Sequence, residues 1–509
     1  MICVPLTGKT VEEMLRDAHR AAKAGADLVE FRVDCMEKPD VEALVAKAPV
    51  PEIITCRPKR AGGNFAGEES ERLAILQKAI DLGADYIDVE LDSVAHVHPE
   101  WPGKLIVSVH DFERTPDDLL ALHKRIADTG ADVVKIATTA RDISDNLRLF
   151  DLLASVAEPT VALAMGERGV ISRILSRKFG GWLTFASLER GKESAEGQLT
   201  IDDLLKLYRF RDIRHDTEIF GVVANPVAHS MSPLIHNAAF AYAGMNCVYV
   251  PMLVDDVTGF LARFRALAKG FSVTIPHKER AMASADEIDP LTQRIGALNT
   301  LVVRDGQLIG TNTDLPAALG AMEQALRPPL TNQKEGTHTV CVPKCPGGVI
   351  SPLRGKRVAV LGARGTARAI VVGLVDAGAE VKIYNRTVER AKALAEEFGA
   401  SWAGLDALAE VKSADVLVNA TPVGMWPKVD ASPVPADVLH KGMLVFDVVY
   451  NPLETRLLRE ARERGCLCVS GLEMFVLQAA RQFELFTGQA APVDVMRNAV
   501  VRRLAANDQ

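Results

Sequence analysis

The stretch Leu28-Val-Glu-Phe-Arg-Val-Asp34 has the alternating pattern of a β-strand, but one of its faces carries charged side chains. Because successive side chains of a strand point to opposite sides, the valines and the phenylalanine share one face, and Glu30 and Arg32 share the other. Unpaired charge is costly to bury, so a core strand normally has apolar residues at such positions. We therefore interpret this stretch as a strand that brings two charged groups into an enclosed site.

Strands of this kind recur in the first 210 residues, and helical patterns separate them. The predicted strands are 2–6, 28–34, 53–57, 86–91, 105–112, 133–138, 161–165 and 182–186. Eight alternating strand and helix units in about 210 residues predict an α/β protein with an N-terminal (β/α)8 barrel of the TIM type. An open doubly wound sheet is the alternative, and the lack of a glycine-rich phosphate turn after the first strand argues against it.

Strand alternation also predicts which polar side chains point into this barrel. The set consists of Glu30, Arg32, Arg57, Glu90, His110 and Lys135, mostly near the carboxyl ends of their strands. Barrel enzymes carry their catalytic residues at that end. A satisfied buried ion pair is the alternative for any single residue, but six converging polar groups favour an active site.

The residue types in this set indicate a reaction class. A buried lysine beside arginines, here Lys135, is expected to have a depressed pKa and to act as an amine nucleophile. The imine that it forms with a ketone or aldehyde draws electrons from a neighbouring C–H bond, and His110 can carry the proton away. Glu90 can hold the histidine ring, and the arginines suit a substrate carboxylate. We predict an imine-forming lyase or aldolase that acts on an anionic carbonyl compound.

These residues lie in motifs that resemble those of type I 3-dehydroquinate dehydratase. The motifs are Glu30-Phe-Arg-Val-Asp34, Thr55-Cys-Arg-Pro58, Asp88-Val-Glu-Leu91, Ser108-Val-His-Asp-Phe112, Val134-Lys-Ile-Ala137, Met165-Gly-x-x-Gly-x-x-Ser-Arg173 and Ser194-Ala-Glu-Gly-Gln198. The resemblance implies a Schiff base at Lys135, acid and base catalysis by His110, and orientation of His110 by Glu90. It implies that substrate is bound by Glu30, Arg32, Arg57, Arg173, Ser194 and Gln198. The segment Lys59-Arg-Ala-Gly-Gly63 departs from the family, which usually has an acidic residue before the two glycines.

Beyond a polar linker at 210–217, a second α/β region runs to the C-terminus. We predict a barrel at 1–210, a substrate-binding domain at 218–327, a loop insertion at 328–354, a dinucleotide-binding Rossmann domain at 355–471 and completing C-terminal helices at 472–509. The insertion is rich in Pro, Gly, Lys and Thr, and it carries no chemistry that we can name.

A glycine turn, Gly362-Ala-Arg-Gly-Thr-Ala367, follows a predicted strand and opens a predicted helix, as a pyrophosphate site requires. Arg364 replaces the middle glycine of the usual fingerprint, where its side chain could crowd the pyrophosphate or pair with it. The next strand ends at Asn385-Arg-Thr387, where an NAD site would have an acidic residue. A cation at this point favours a ribose 2′-phosphate and hence NADP(H), although a solvated arginine is the alternative.

The region before this turn contains further polar motifs. Ser230 and Ser232 form a pair of hydroxyls suited to a carboxylate, and Lys278 with Asp314 is a possible proton-transfer pair. Asn299 can bind a substrate hydroxyl. Each residue alone also fits a cap, a turn or a surface position.

Together these motifs closely resemble shikimate dehydrogenase. The remaining motifs are Ser272-Val-Thr-Ile-Pro-His-Lys278, Gly296-Ala-Leu-Asn-Thr300, Gly310-Thr-Asn-Thr-Asp314, Asn419-Ala-Thr-Pro-x-Gly-Met425, Asp447-Val-Val-Tyr-Asn-Pro452 and Gly471-Leu-Glu-Met-Phe-x-x-Gln-Ala479. The resemblance implies catalysis by Lys278 and Asp314. It implies that Ser230, Ser232, Thr274, Asn299, Tyr450 and Gln478 bind substrate. It implies that NADP(H) is held by Gly362, Ala363, Arg364, Gly365, Thr366, Ala367, Asn385, Arg386, Thr387, Thr421 and Gly471.

The whole chain thus resembles the fused dehydratase–dehydrogenases of the shikimate pathway. The expected reactions are dehydration of 3-dehydroquinate to 3-dehydroshikimate and NADPH-dependent reduction of that product to shikimate. Three alternatives remain: a quinate dehydrogenase in the second half, a barrel aldolase, and a regulator built from inactive copies of these domains. The retained hydroxyls at 230, 232 and 274 disfavour the first, and the retained lysines disfavour the last.

Composition restricts the other classes of function. The chain has 509 residues with a net charge of −7, 48% hydrophobic and 25% charged residues, and no apolar run long enough to cross a bilayer. We expect no nucleic-acid or membrane partner. The start, Met1-Ile-Cys-Val-Pro-Leu6, has the pattern of a strand, and with the scattered cysteines it predicts a cytoplasmic protein. Cys341-x3-Cys345, Cys466-x-Cys468 and His96-x-His98 lack a second ligand pair, so no metal is expected.

Overall fold

A computed structural model of the chain describes residues 1–97, 102–327 and 350–507. Most of the predicted insertion, both cysteines of the Cys341 pair and His98 lie outside these residues. The chain divides into two compact units, which are Met1–Phe220, Asn225–Pro233 and Asn246–Asp256 in one, and Gly221–Ala224, Leu234–Met245 and Val257–Gln509 in the other. The division into five segments drawn from the sequence remains a prediction.

The first unit contains an eight-stranded, all-parallel sheet. Its strands are β1 (Ile2–Leu6), β2 (Leu28–Arg32), β3 (Glu52–Thr55), β4 (Tyr86–Glu90), β5 (Lys104–His110), β6 (Val133–Thr139), β7 (Thr160–Met165) and β8 (Thr184–Phe185). The order β7-β6-β5-β4-β3-β2-β1-β8 puts the last strand beside the first. The Trp182 amide donates to the Thr160 carbonyl at 2.8 Å and links the start of the eighth strand to the seventh. The predicted TIM barrel is confirmed, and the open sheet is wrong.

Helices follow most of these strands. They are α1 (Val11–Ala24), α2 (Val41–Lys47), α3 (Glu69–Asp81), α4 (Leu119–Ala127), α5 (Asp145–Ser155) and α6 (Val170–Leu175). Local signals set their ends. In α1 the Thr10 hydroxyl accepts a hydrogen bond from the Glu13 amide, and the helix stops at Gly25, whose φ of 102° suits glycine.

The strand period divides the barrel interior into an apolar part and a polar part. Leu28, Ile53, Ile106 and Val133 belong to one buried apolar cluster. Each lies two residues before a polar inward side chain, namely Glu30, Thr55, Ser108 and Lys135. Residues two apart point to the same side of a strand. The apolar cluster therefore fills the interior beneath the polar groups, which are left at the carboxyl ends of the strands.

The rest of the chain forms two further sheets. The first contains β9 (Glu218–Ala224), β10 (Cys247–Leu253), β11 (Gly270–Val273), β12 (Glu287–Ile288), β13 (Thr300–Arg304) and β14 (Gln307–Thr311), in the order β10-β9-β11-β13-β14-β12. The second contains β15 (Arg357–Leu361), β16 (Glu380–Tyr384), β17 (Ser401–Ala403), β18 (Val416–Asn419), β19 (Leu444–Asp447) and β20 (Leu467–Val469). Its parallel order β17-β16-β15-β18-β19-β20 is that of a Rossmann fold, as predicted.

Nine helices accompany these sheets within the described residues. They are α7 (Ser232–Tyr242), α8 (Val257–Phe264), α9 (Pro290–Ile295), α10 (Asp314–Leu326), α11 (Gly365–Asp376), α12 (Val388–Phe398), α13 (Arg456–Glu463), α14 (Gly471–Thr487) and α15 (Val493–Asn507). Val358 and Val360 of β15 share a buried core with Ile370 of α11. In the part of the chain that the structure describes, no helix is both long and apolar enough to cross a bilayer.

Candidate active sites

Lys135 lies inside the barrel with its amine among carboxylates. Its Nζ donates to Asp88 Oδ2 at 2.7 Å and approaches Glu30 Oε1 at 3.5 Å, and it stands 4.4 Å from the centre of the Phe185 ring. The sequence placed arginines around this amine, and Arg57 does share Asp88 Oδ2 with it, at 2.8 Å. The amine is therefore paired with an anion, Asp88, for which the sequence predicted no role.

His110 lies at the end of β5 and is half-buried. Burial, together with the charges of Arg57 and Lys135, lowers the pKa of His110 well below its ordinary value. The ring is therefore neutral near pH 7, as a general base requires. It stacks on Phe112, with 6.1 Å between ring centres, and its Nδ1 has no hydrogen-bond partner among the described residues.

Contrary to the prediction, the contacts of Glu90 are with arginines and not with His110. Its Oε1 accepts from Arg57 at 2.7 Å, and its Oε2 pairs with Arg72 at 2.7 Å. Arg72 comes from α3 and is fully buried, where it also donates to the Cys56 carbonyl. Both carboxylate oxygens are occupied by guanidinium groups, so the expectation that Glu90 orients His110 is not met by this geometry.

The three arginines expected at the substrate differ in what they contact. Arg32 makes a two-point ion pair with Asp34, and Arg57 contacts Asp88, Glu90 and Ser108. Arg173 is 1% exposed, and its Nε and Nη2 have no hydrogen-bond partner among the described residues. Burial lowers the pKa of Arg173 to about 10. Of these arginines, Arg173 has the donors best suited to an incoming anion.

The remaining predicted residues of the barrel, Glu30, Ser194 and Gln198, each have a hydrogen-bond partner. Glu30 Oε1 accepts from the Thr55 hydroxyl at 2.8 Å. Beyond β8, the Ser194 amide and hydroxyl both point at Gln198 Oε1, at 2.8 and 3.3 Å. Ser194 and Gln198 therefore hold the same loop together, as expected for residues four apart in sequence.

The segment 59–63, which departs from the dehydratase pattern, is held in place by ion pairs and by close packing. Arg60 pairs with Glu69 at 3.1 Å and with Asp92 at 2.9 Å. Gly63 lies so close to the backbone of Arg57 that a Cβ atom would be 2.0 Å from the Arg57 carbonyl oxygen. Gly63 is therefore required for packing here, whatever residue precedes the two glycines.

The second unit brings Lys278, Asp314 and Asn299 into one cluster. Lys278 Nζ donates to Asp314 Oδ2 at 2.5 Å and to the Thr366 hydroxyl at 3.1 Å. Asn299 Nδ2 donates to Asp314 Oδ1 at 2.8 Å and approaches Gln478 Oε1 at 3.5 Å. Lys278 and Asp314 are both buried. The predicted proton-transfer pair is thus assembled.

The other predicted substrate-binding residues of this region make local contacts of their own. The Thr274 amide donates to the Val223 carbonyl at the end of β11, and Tyr450 stacks on Phe475 with 4.3 Å between ring centres. Ser230 and Ser232 lie at the start of α7, where the Ser232 amide donates to the Ser230 hydroxyl at 3.2 Å. These serines belong to the same compact unit as the barrel.

Gln482 is a residue that the sequence reading missed. It is 2% exposed, accepts from the Ser272 hydroxyl at 2.8 Å, and donates to the Asn299 carbonyl at 3.1 Å and to the Thr300 hydroxyl at 3.0 Å. It therefore fixes the backbone that carries Asn299. The sequence did contain an indication of this role, because Gln482 is a polar residue among the buried, mostly apolar residues of α14.

The glycine turn between β15 and α11 fits a dinucleotide pyrophosphate. Gly362 has a φ of 109°, and a Cβ there would lie 3.0 Å from the Ala420 carbonyl oxygen. Gly365 begins α11, and the free amides at a helix N-terminus suit an anion. Arg364 is exposed with extended backbone angles, so it does not fill the turn. Ala363, Thr366 and Ala367 complete the turn and the first helical residues.

Three further segments that were predicted to hold the cofactor have conformations set by local hydrogen bonds or packing. Asn385 Nδ2 donates to the Thr387 carbonyl at 2.8 Å and shapes the turn that leaves Arg386 exposed. The Thr421 amide and hydroxyl both donate to Asn419 Oδ1, at 3.1 and 2.6 Å. Gly471 is explained by packing, because a Cβ there would lie 2.4 Å from the Val448 carbonyl oxygen. Its contact with cofactor remains a prediction.

No group of three or more histidine, cysteine or acidic side chains is positioned to hold a metal ion in the described part of the chain. The Cys466 and Cys468 thiols instead face the backbone carbonyls of His440 and Leu458.

Comparisons with known proteins match both regions of the chain. The model of type I 3-dehydroquinase matches residues 2–215. Models of the shikimate dehydrogenase substrate-binding domain, of shikimate/quinate 5-dehydrogenase and of the shikimate 5′-dehydrogenase C-terminal domain match 222–301, 348–447 and 471–501.

Individual relatives give the same result. A bifunctional 3-dehydroquinate dehydratase/shikimate dehydrogenase from Arabidopsis thaliana is 45% identical over 97% of this chain and 83% of its own length. An NADP(+) shikimate dehydrogenase from Methanosarcina mazei is 43% identical over 57% of this chain and 99% of its own. A shikimate dehydrogenase crystallised with NADP+ is 37% identical, with a TM-score of 0.50, over 57% of this chain and 97% of its own.

The comparison with the Arabidopsis relative also corrects the predicted location and identifies the family. The Arabidopsis relative is described as chloroplastic, so the predicted cytoplasmic location is wrong. Reduced, scattered cysteines indicate a reducing compartment and do not distinguish one such compartment from another. The matched length and identity show that the chain belongs to the family of bifunctional 3-dehydroquinate dehydratase/shikimate dehydrogenases.

Proposed function

We propose that this chain catalyses two successive reactions. The barrel dehydrates 3-dehydroquinate to 3-dehydroshikimate through an imine at Lys135, and the C-terminal region reduces 3-dehydroshikimate to shikimate with NADPH. The observation that carries the first step is the buried guanidinium of Arg173, whose Nε and Nη2 have no hydrogen-bond partner among the described residues and which lies in the same unit as the Lys135 amine. A buried cation without a partner is costly, and the carboxylate of the substrate removes that cost.

In the barrel, Lys135 Nζ adds to the keto carbon, and loss of water from the carbinolamine gives the imine. Neutral His110 takes a proton from the neighbouring carbon, and the electron pair moves toward the iminium nitrogen. Departure of the β-hydroxyl as water, with a proton returned from His110, forms the new double bond. A further water hydrolyses the imine, which frees Lys135 and releases 3-dehydroshikimate.

In the second site, Lys278 donates a hydrogen bond to the substrate carbonyl oxygen and supplies its proton. Asp314 holds the ammonium by the 2.5 Å bond, and Asn299 fixes Asp314 from the other side. Bound NADPH supplies the hydride. The turn at Gly362 and the exposed Arg386 are the groups that would hold its pyrophosphate and its 2′-phosphate.

The experiment is one coupled assay. Purified protein receives 3-dehydroquinate and NADPH, and both NADPH oxidation and shikimate are followed. We expect one shikimate for each NADPH consumed. Formation of 3-dehydroshikimate without reduction, or no turnover of 3-dehydroquinate at all, would contradict the corresponding half of the proposal.

A further inference from the structure

A continuous series of ion pairs runs through the barrel unit to the Lys135 amine. Its members, in order, are Arg60, Glu69, Arg72, Glu90, Arg57, Asp88 and Lys135, and the successive N···O distances are 3.1, 2.6, 2.7, 2.7, 2.8 and 2.7 Å. The charges alternate along the whole series. Its first two side chains are 46% and 39% exposed, whereas the last five are at most 7% exposed.

Asp88 is the member of this series that contacts the amine. It is fully buried, and each of its oxygens is engaged. Oδ2 accepts from Lys135 and from Arg57, and Oδ1 accepts from the Ser108 hydroxyl at 2.6 Å. These bonds leave the carboxylate one orientation, with Oδ2 directed at Nζ.

The surroundings keep Asp88 ionised. Burial by itself raises the pKa of Asp88, but the charges of Arg57 and Lys135 outweigh it and bring the pKa well below its usual range. Because Arg57 remains beside it, Asp88 keeps its charge when Lys135 loses a proton. Asp88 is therefore unsuited to act as a proton acceptor during the reaction, and a fixed negative charge is what it provides.

We infer that Asp88 is the fixed counter-ion of the Schiff base, which stabilises the iminium at Lys135 relative to the neutral amine and carbinolamine. This inference rests on the proposed function of the barrel. When the amine and the keto carbon become an iminium and water, one proton is taken up and a positive charge forms at Nζ. An anion 2.7 Å from that nitrogen favours the charged species most, because the site is buried and poorly screened.

The role of Asp88 differs from that of Glu30. Glu30 also faces the amine, but at 3.5 Å, and it shares its Oε1 with the Thr55 hydroxyl. Its carboxylate is therefore farther from the nitrogen. Replacing Asp88 should reduce iminium formation more than replacing Glu30.

The test is borohydride trapping of the full chain with 3-dehydroquinate, read by mass spectrometry of the Lys135 peptide. In Asp88→Asn we expect kcat for dehydration and the rate of trapping to fall about a hundredfold or more, with KM changed far less. Reduction of supplied 3-dehydroshikimate by the same protein should be unchanged, which reports folding of the remaining chain. Asp132→Asn is the matched control, because Asp132 accepts from the Leu105 amide at the opposite end of the strands.

Asp88→Glu and Ser108→Ala separate charge from packing. Asp88→Glu retains the charge, so it should regain at least tenfold of the trapping rate lost in Asp88→Asn. Ser108→Ala removes one hydrogen bond and leaves the charge, so its loss should stay within about tenfold. If Asp88→Asn does not fold, trapping in the other two variants decides the matter, because a hundredfold loss in both would assign Asp88 a packing role.

Failure of the proposed function and failure of the counter-ion role give different results. Absence of an adduct at Lys135 in active wild-type protein would contradict the proposed function itself. A normal wild-type adduct with equal trapping in Asp88→Asn would overturn the counter-ion role alone.

Discussion

Both candidate sites contain a buried lysine bonded to an aspartate, but the surroundings of the two pairs differ. Asp88 is bound by Arg57 as well as by Lys135, and it belongs to a series of alternating charges. Asp314 is bound by Lys278 and by the neutral amide of Asn299. A second cation fixes the charge of the first aspartate, whereas the second aspartate pairs with one cation in the part of the chain that the structure describes. The first arrangement suits a nitrogen that becomes an iminium, and the second suits a lysine that gives up a proton and recovers it.

The largest expected effect separates the two lysines. Lys135→Ala should lower dehydration of 3-dehydroquinate by about 10⁴-fold or more, because no covalent intermediate can form. Reduction of supplied 3-dehydroshikimate should continue at the wild-type rate. Separate spectrophotometric assays of the two reactions measure this, with the exposed Lys206→Ala as control. Loss of both activities would mean that the two sites are not independent.

The reciprocal change should be somewhat milder. Lys278→Ala should reduce kcat of the reductase by about 10²- to 10⁴-fold, since a proton donor is removed and hydride transfer from NADPH remains feasible. Dehydration should be unaffected. Steady-state kinetics with 3-dehydroshikimate and NADPH provide the measurement, and a KM effect with unchanged kcat would reduce Lys278 to a binding residue.

The pH dependence sharpens the contrast between the sites. The pKa of His110 is lowered by burial and by the charges of Arg57 and Lys135, so the ring stays neutral as the pH falls through 6.5. If His110 is the base, its protonation should limit kcat/KM for dehydration only well below that pH. A pH profile of kcat/KM in buffers of constant ionic strength measures this. An acid limb near pH 6.5 that disappears in His110→Gln would show that the ring is more exposed than the structure has it.

A smaller effect is expected at the cofactor. Arg386→Asp should weaken NADPH binding roughly ten- to a hundredfold and NADH binding much less, because only NADPH carries the 2′-phosphate that a cation pairs with. Dissociation constants from fluorescence titration give both values. Lys392→Asp, on the exposed side of α12, is the matched charge reversal. Equal weakening of both cofactors by Arg386→Asp would remove the argument for a phosphate contact.

Much of the first site could be predicted because strand alternation is a local property. The two-residue period placed Glu30, Arg57 and Lys135 inside the barrel, and the structure buries all three. The order of the strands followed from the repeated strand and helix units. The Rossmann sheet was recognisable for the same reason, since its turn at Gly362 lies between adjacent elements.

The partners of the buried charges could not be predicted in this way. Arg72 reaches Glu90 from a helix, and its helical spacing gives no indication that it enters the barrel wall. Glu90 was assigned to His110 on sequence, and two arginines occupy it instead. The sequence alone also gave no basis for choosing Arg173, rather than Arg32 or Arg57, as the arginine with free donors.

The amino-acid sequence therefore determined the fold class, the approximate positions of the strands, and which side of each barrel strand carries the charged side chains, because periodicity and turn chemistry act over a few neighbouring residues. The tertiary structure decided which charges pair. Asp88 and Lys135 are 47 residues apart, and their 2.7 Å contact depends on the register of three neighbouring strands. Burial then sets the strength of that contact, since the same pair in water would be screened to a small fraction of its energy.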